Sequence, residues 1–201
     1  MRAPIALAIS KTMQSNHWRY RLIAEKLRMG AVIAYPTEGV WGLGCLPEYE
    51  ASVAKILSLK GRAWQKGLIM AAATLEQALP YVADLKPDEI ERLEQLWPGP
   101  TTVVMPKSDR TPLWVSGQFA SVAIRVSAHP VIQGICRAVQ QPIISTSANP
   151  SGKDPALNHL RVRQYFGQQV DVVVPGELGG QSGPSQIITL RDQTVIREGG
   201  A

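Results

Sequence analysis

Histidine and cysteine are scarce, at three and two among 201 residues. Cys45 and Cys136 stand far apart and form no CxxC, which argues against a disulfide framework or a cysteine-built zinc site and favours a reducing compartment. His17, His129 and His159 share no ligand-like spacing, so no metal site made of protein side chains is expected; His129, directly before Pro130, reads as a helix cap. A GxxxxGK[ST] loop is missing, and "GLGCLP" (42–47) has Pro47 where GxGxxG needs its last glycine. Neither GxSxG nor HExxH occurs. No block of five like charges exists, which excludes a basic tail. The apolar stretch in "MRAPIALAIS" is too short for a membrane span and reads as an N-terminal strand rather than a signal peptide. An enzyme with so little nucleophile–base machinery would work by placing substrates and compensating charge, as in phosphoryl-type chemistry.

What is present suits one globular domain over residues 1–201: the chain is 45% hydrophobic and, despite 6% aromatics, carries five tryptophans. The formal charge of +5 serves solubility or an anionic partner such as a nucleotide, phosphate or RNA. Residues 15–30 read as a helix capped by Ser15 or Asn16, with an apolar stripe of Trp18, Leu22, Ile23 and Leu27, ended by Gly30. Further helices are expected over 48–60, 87–97, 130–139 and 158–166, the last capped by Asn158. Strands are expected over 31–36, 68–73, "TTVVMP", "SVAIRV", "PIISTS", "DVVVPG", "SQIITL" and "TVIREG", with hairpin-like pairs late in the chain. This mixture predicts an α/β fold around a twisted sheet with both parallel and antiparallel strands, flanked by helices.

Four stretches are more polar than a plain fold requires. In "YPTEGVWGLG" (35–44) a strand ends in Pro-Thr-Glu and a glycine-rich loop follows, either a simple connection or a place where backbone approaches a ligand. In "LKGRAWQKG" (59–67), Lys60, Arg62 and Lys66 form either a solvated surface or a mobile clamp on a triphosphate. Arg125 interrupts the apolar strand of "SVAIRVSAHP", placed on a solvated face or facing an anion-holding cleft. In "IISTSANPSG" (143–152), Ser145 and Ser147 lie two apart on a strand and share a side. The turn after them is an Asx-turn or a nest for phosphate or carboxylate oxygens.

Together with "WPGPTTVV", "VVVPGELGG", "GPSQIITL" and the closing "IREGG", these stretches follow in an order and spacing that resembles the YrdC-type threonylcarbamoyl-AMP synthases, in their short bacterial TsaC form. The resemblance implies a single YrdC-like domain with a positively charged cleft, in a cytoplasmic protein without membrane attachment. It implies that L-threonine, bicarbonate (or carbon dioxide) and ATP, with Mg²⁺, give threonylcarbamoyl-AMP and pyrophosphate. The product would pass to a TsaD/TsaB/TsaE-like complex that modifies tRNA. By the same resemblance Lys60 and Arg62 would be catalytic. They and Lys66, Ser121, Ser147, Asn149 and Arg197 would bind ATP, while Thr37, Arg125, Ser145 and Ser185 would hold threonine. Relatives commonly carry Thr or Ala at the place of Gly39, Tyr or Phe at that of Trp41, and Pro at that of Ala63. With Arg197 close to the end of the sequence read, the extra C-terminal domain of longer relatives is not expected. Two other readings compete: a non-catalytic module that binds tRNA or double-stranded RNA, expected to show steep salt dependence, and a carbamoyl-phosphate-using relative of the hydrogenase maturation factors.

Overall fold

The computed structural model describes residues 18–200. The expected N-terminal strand and the Ser15 or Asn16 cap lie outside the described residues. The described part of α1 covers 18–28 and stops at Gly30, whose φ of 83° suits glycine. Then follow β1 (Ile33–Pro36), β2 (Trp41–Gly44), α2 (Glu50–Lys60), β3 (Ile69–Ala72), α3 (Leu75–Ala78), α4 (Pro87–Leu96), β4 (Thr101–Pro106) and α5 (Leu113–Ser116). The remaining elements are β5 (Ser121–Val126), α6 (Pro130–Val139), β6 (Ile143–Ser147), α7 (His159–Phe166), β7 (Val172–Val173), β8 (Gln186–Thr189) and β9 (Val195–Arg197).

The expected Asn158 and His129 caps form, and Glu89 adds one the sequence reading did not single out. Asn158 Oδ1 accepts the Arg161 N–H at 2.9 Å, and Glu89 reaches back to the Lys86 N–H at 2.9 Å. His129 Nδ1 accepts the Val131 N–H at 3.3 Å. Trp18 and Leu22 were expected in the buried stripe of α1, but both are exposed. Ile23, Ala24 and Leu27 form its buried face instead, rotated toward the sheet by the 3.6-residue period.

The strands make one nine-stranded mixed sheet in the order β7-β1-β2-β6-β3-β5-β4-β8-β9, parallel at β1/β7, β3/β5 and β4/β8 and antiparallel elsewhere. Alternation divides its side chains between two faces. One face presents Ala34, Leu43, Met70, Val103, Ile124 and Ile144, covered by Val53 and Ile56 of α2, Leu93 of α4, and Val162 and Phe166 of α7. The other presents Ile33, Tyr35, Ala71 and Ile143 to α1 and to Val131, Ile132, Ile135 and Val139 of α6. Truncating a fully buried contact of that second layer, as in Leu27→Ala, costs about 2–5 kcal/mol. The two cysteines are free, Cys45 in the first layer and Cys136 in the second.

The second half of "YPTEGVWGLG" corrects its expectation as a loop: it is strand β2, in a hairpin with β1. Its glycines serve packing. Gly42 and Gly44 lie opposite Tyr35 and Ile33 in the register, and a Cβ on Gly44 would meet the Ile144 carbonyl oxygen at 2.3 Å and the Tyr35 ring at 2.9 Å. Tyr35 thus lies over the bare side of β2 and donates its hydroxyl to the Ile144 carbonyl at 3.2 Å.

Candidate active site

Helices α1 and α6 cover only part of their sheet face. On the same face, where that cover stops, Ile143 and Ala71 give way along their strands to Ser145 and Ile69. The adjoining row continues through Ala123 and Val104. On β5, Val122, Ile124 and Val126 point into the first core layer, which leaves Ser121, Ala123 and Arg125 on the opposite face. Small and polar residues therefore floor a cavity of about 530 Å³, a size suited to a small-molecule ligand.

All eleven residues singled out from the sequence line this cavity: Thr37, Lys60, Arg62, Lys66, Ser121, Arg125, Ser145, Ser147, Asn149, Ser185 and Arg197. Among the described residues its lining holds five cations and one carboxylate, Glu38. Lys60 ends α2, above the left-handed Gly61. Its Nζ donates to the Ser147 carbonyl, to the Asn149 carbonyl at 2.9 Å and to Asn149 Oδ1 at 3.4 Å. Lys60 is buried and braced, not on a solvated surface, because the helix end carries it straight to the strand-end loop. Burial and the neighbouring Arg62 charge bring its ammonium down to about 8. Arg62 Nη2 donates to the Gly67 carbonyl at 2.9 Å, while its buried Nε has no partner among the described residues.

The threonine-side candidates are partly engaged with neighbouring side chains and with backbone. Thr37 Oγ1 donates to the Val40 carbonyl at 2.7 Å, and Ser185 Oγ lies 2.9 Å from Thr102 Oγ1. Arg197 Nη2 donates to the Ser185 carbonyl at 2.6 Å. Burial, then the charges of Arg125 and Arg62, lower the Arg197 pKa. Guanidiniums that repel one another in a half-dry space are stabilised by an anion between them. Asn149 Nδ2 is committed to the Pro150 and Lys153 carbonyls at 3.0 and 2.7 Å, so its side chain shapes the turn. Arg125 is 5% exposed, which removes the solvated-face reading; its Nη1 lies 3.3 Å from Glu38 Oε2.

Two residues escape the sequence reading. Glu38 stands beside Thr37 in a quoted stretch, and Ser127 lies two residues past Arg125; the Ser127 hydroxyl donates to Glu38 Oε1 at 2.5 Å. Only the period of two, carried past the strand end, hinted at Ser127. Among the described residues no cluster of His, Cys, Asp or Glu could hold a metal ion, and no helix is long and apolar enough to cross a membrane.

Comparison with known proteins shows the family and the fold. The family model Sua5/YciO/YrdC, described as telomere recombination, matches residues 25–199. A threonylcarbamoyl-AMP synthase of Cellvibrio japonicus (strain Ueda107) is 48% identical over 179 residues, covering 89% of this chain and 95% of that protein. The crystal structure of P. abyssi Sua5 complexed with L-threonine superposes with a TM-score of 0.85 at 30% identity; the match covers 91% of this chain and 54% of that one. E. coli YciO, at 23% identity and TM-score 0.81, shares the fold over 92% of this chain and 91% of its own. This chain belongs to the Sua5/YciO/YrdC family.

Proposed function

We propose that this family member is a threonylcarbamoyl-AMP synthase, joining L-threonine, bicarbonate or carbon dioxide, and ATP into threonylcarbamoyl-AMP with release of pyrophosphate. The observation that carries the reading is the cavity itself: Arg125 on the sheet floor is suited to a carboxylate, while Lys60, Arg62, Lys66 and Arg197 line the same space and suit a polyphosphate. The reaction is a nucleotidyl transfer. On bicarbonate the neutral amine of threonine displaces water, and on carbon dioxide it adds with loss of a proton; an oxygen of the resulting carbamate then attacks the α-phosphorus in line as pyrophosphate leaves. Among the lining side chains no nucleophile–base pair is arranged for covalent catalysis, so orientation supplies the acceleration; well-placed reactants reach effective molarities of roughly 10⁵–10⁸ M.

Arg62 and Lys66 neutralise charge that builds on the leaving pyrophosphate. Lys60 holds the 147–149 loop so that Ser147 and the backbone meet phosphate oxygens, and Ser121 and Arg197 complete the nucleotide side. Thr37, Ser145 and Ser185 face threonine. The protein offers Glu38 as the cavity's one carboxylate, and it is turned to Arg125. The donor set therefore does not fit a resident metal, and Mg²⁺ would enter on the triphosphate. The product passes in the cytoplasm to a TsaD/TsaB/TsaE-like complex that modifies tRNA. Incubation with ATP, Mg²⁺ and bicarbonate, with and without L-threonine, tests the reading. Threonine-dependent pyrophosphate release with threonylcarbamoyl-AMP in the mass spectrum is the expected result; a folded protein that releases none would refute it.

A further inference from the structure

The peptide between Gly67 and Leu68 is held at both edges. Its carbonyl accepts Arg62 Nη2 at 2.9 Å, and its N–H donates to the Val115 carbonyl of α5 at 2.8 Å. A peptide unit is planar and rigid, so whatever turns one of these groups turns the other. The second acceptor of Arg62, the Lys66 carbonyl at 3.4 Å, lies one residue earlier on the same segment. Helix α5 is itself fixed. Val115 is fully buried in the first core layer, and Trp114 Nε1 donates to the Pro47 carbonyl at 2.8 Å.

The two segments come this close because no side chain stands between them. Beside the Val115 bond, the Gln118 N–H donates to the Gln65 carbonyl at 3.2 Å. Gly117 lies between these two bonds at φ 64° and ψ −139°, a backbone conformation that favours glycine. A Cβ there would stand 2.5 Å from the Gln65 carbonyl oxygen and 2.7 Å from the Gly67 nitrogen. A side chain at 117 therefore pushes residues 65–67 off α5 and tilts the peptide on which Arg62 rests. Arg62, Lys66, Gly67, Val115 and Ser116 all line the cavity, whereas Gly117 does not. The contact works from behind the wall.

We infer that Gly117 is a positioning residue for the nucleotide: it lets α5 set the Gly67–Leu68 peptide, and that peptide aims the Arg62 guanidinium at the phosphates. The inference rests on reading Arg62 as a phosphate ligand and deepens that reading.

Calorimetric titration with ATP and Mg²⁺, without threonine, tests it as a double-mutant cycle. Arg62→Ala should weaken ATP binding by about tenfold or more, the scale of one charge-assisted hydrogen bond. Gly117→Ala displaces the guanidinium rather than removing it, and should weaken ATP binding by about threefold or more. Affinity for L-threonine, titrated separately, should stay unchanged. The double variant should bind ATP no more weakly than Arg62→Ala alone, because the glycine acts through that arginine. Where Gly117→Ala does not fold, Trp114→Phe, which removes only the bond from α5 to Pro47, enters the same cycle with a smaller loss expected. Losses that multiply in the double variant, a parallel loss of threonine affinity, or unchanged ATP affinity in the folded single variant would reduce Gly117 to a residue of the fold and overturn the inference. A wild type that binds ATP but makes no threonylcarbamoyl-AMP would refute the proposed function alone. One that binds no ATP would overturn both.

Discussion

Lys60 and Arg125 are both buried cations on one cavity wall, each 5% exposed, but their donors are used differently. Lys60 directs Nζ at three protein acceptors and ties the end of α2 to the loop after β6. Arg125 touches one carboxylate without a hydrogen bond, and its buried Nε has no partner among the described residues. The first cation spends its donors on the fold, and the second is held by charge alone. Residue type alone made the two look alike, and only the acceptors around each head group separate them.

The largest effect should come from cutting the brace. Lys60→Ala leaves the Ser147 and Asn149 carbonyls without their donor, which costs about 1–3 kcal/mol. Thermal denaturation should show Tm lower by on the order of 2–12 °C, and synthesis of threonylcarbamoyl-AMP should fall by more than about 100-fold as phosphate-side order is lost. An unchanged Tm would erase the contrast with Arg125. Arg125→Lys keeps the charge that balances Glu38 and removes the fork. The KM for threonine should rise by about 10–100-fold with the KM for ATP and Tm nearly unchanged, so a matching rise in the ATP KM would place Arg125 on the nucleotide side. Arg62 stands between the two cases, with one donor on Gly67 and a buried Nε that has no partner among the described residues. Arg62→Ala should slow turnover by about 10–100-fold; wild-type rate in that variant would remove it from the site.

The smallest effect concerns protons. With the Lys60 ammonium brought down to about 8, binding of ATP requires the charged form. Affinity should be flat below that pH and fall above it by up to about tenfold per pH unit, because the complex must take up a proton. ATP titrations without threonine isolate the effect from the substrate amine. Lys60→Arg, which stays charged across this range, should abolish the slope if the larger head group is accommodated, as an unchanged Tm would indicate.

Much of the fold was legible where period and punctuation agreed. "SVAIRV" alternates cleanly, Pro130 opens α6, and Asn158 and Gly167 bracket α7. Strand β2 was not legible, since glycine twice in four residues is the composition of a turn. What makes it a strand is Tyr35 from the neighbouring strand, a contact no local window contains. Short α3 and α5 carry too few residues for a helical period to show. In the site, polar residues that break an apolar alternation were readable, and all eleven reached one cavity. Glu38 was not, because a glutamate beside a turn is ordinary until Arg125 and Ser127, far along the chain, close around it.

Gly39 allows a different kind of conclusion, about which sequence changes are reachable. A Cβ there would stand 1.9 Å from the Gly183 carbonyl oxygen, and Gly179 and Gln181 hydrogen-bond to the Thr37 and Glu38 carbonyls beside it. Two distant segments therefore drift as one unit. A lineage with alanine or threonine at this place must also carry a different backbone path across 181–183. In an alignment of relatives, the side-chain size at position 39 and the composition of that short segment should change together, and a chimera that exchanges only one of them should fold poorly.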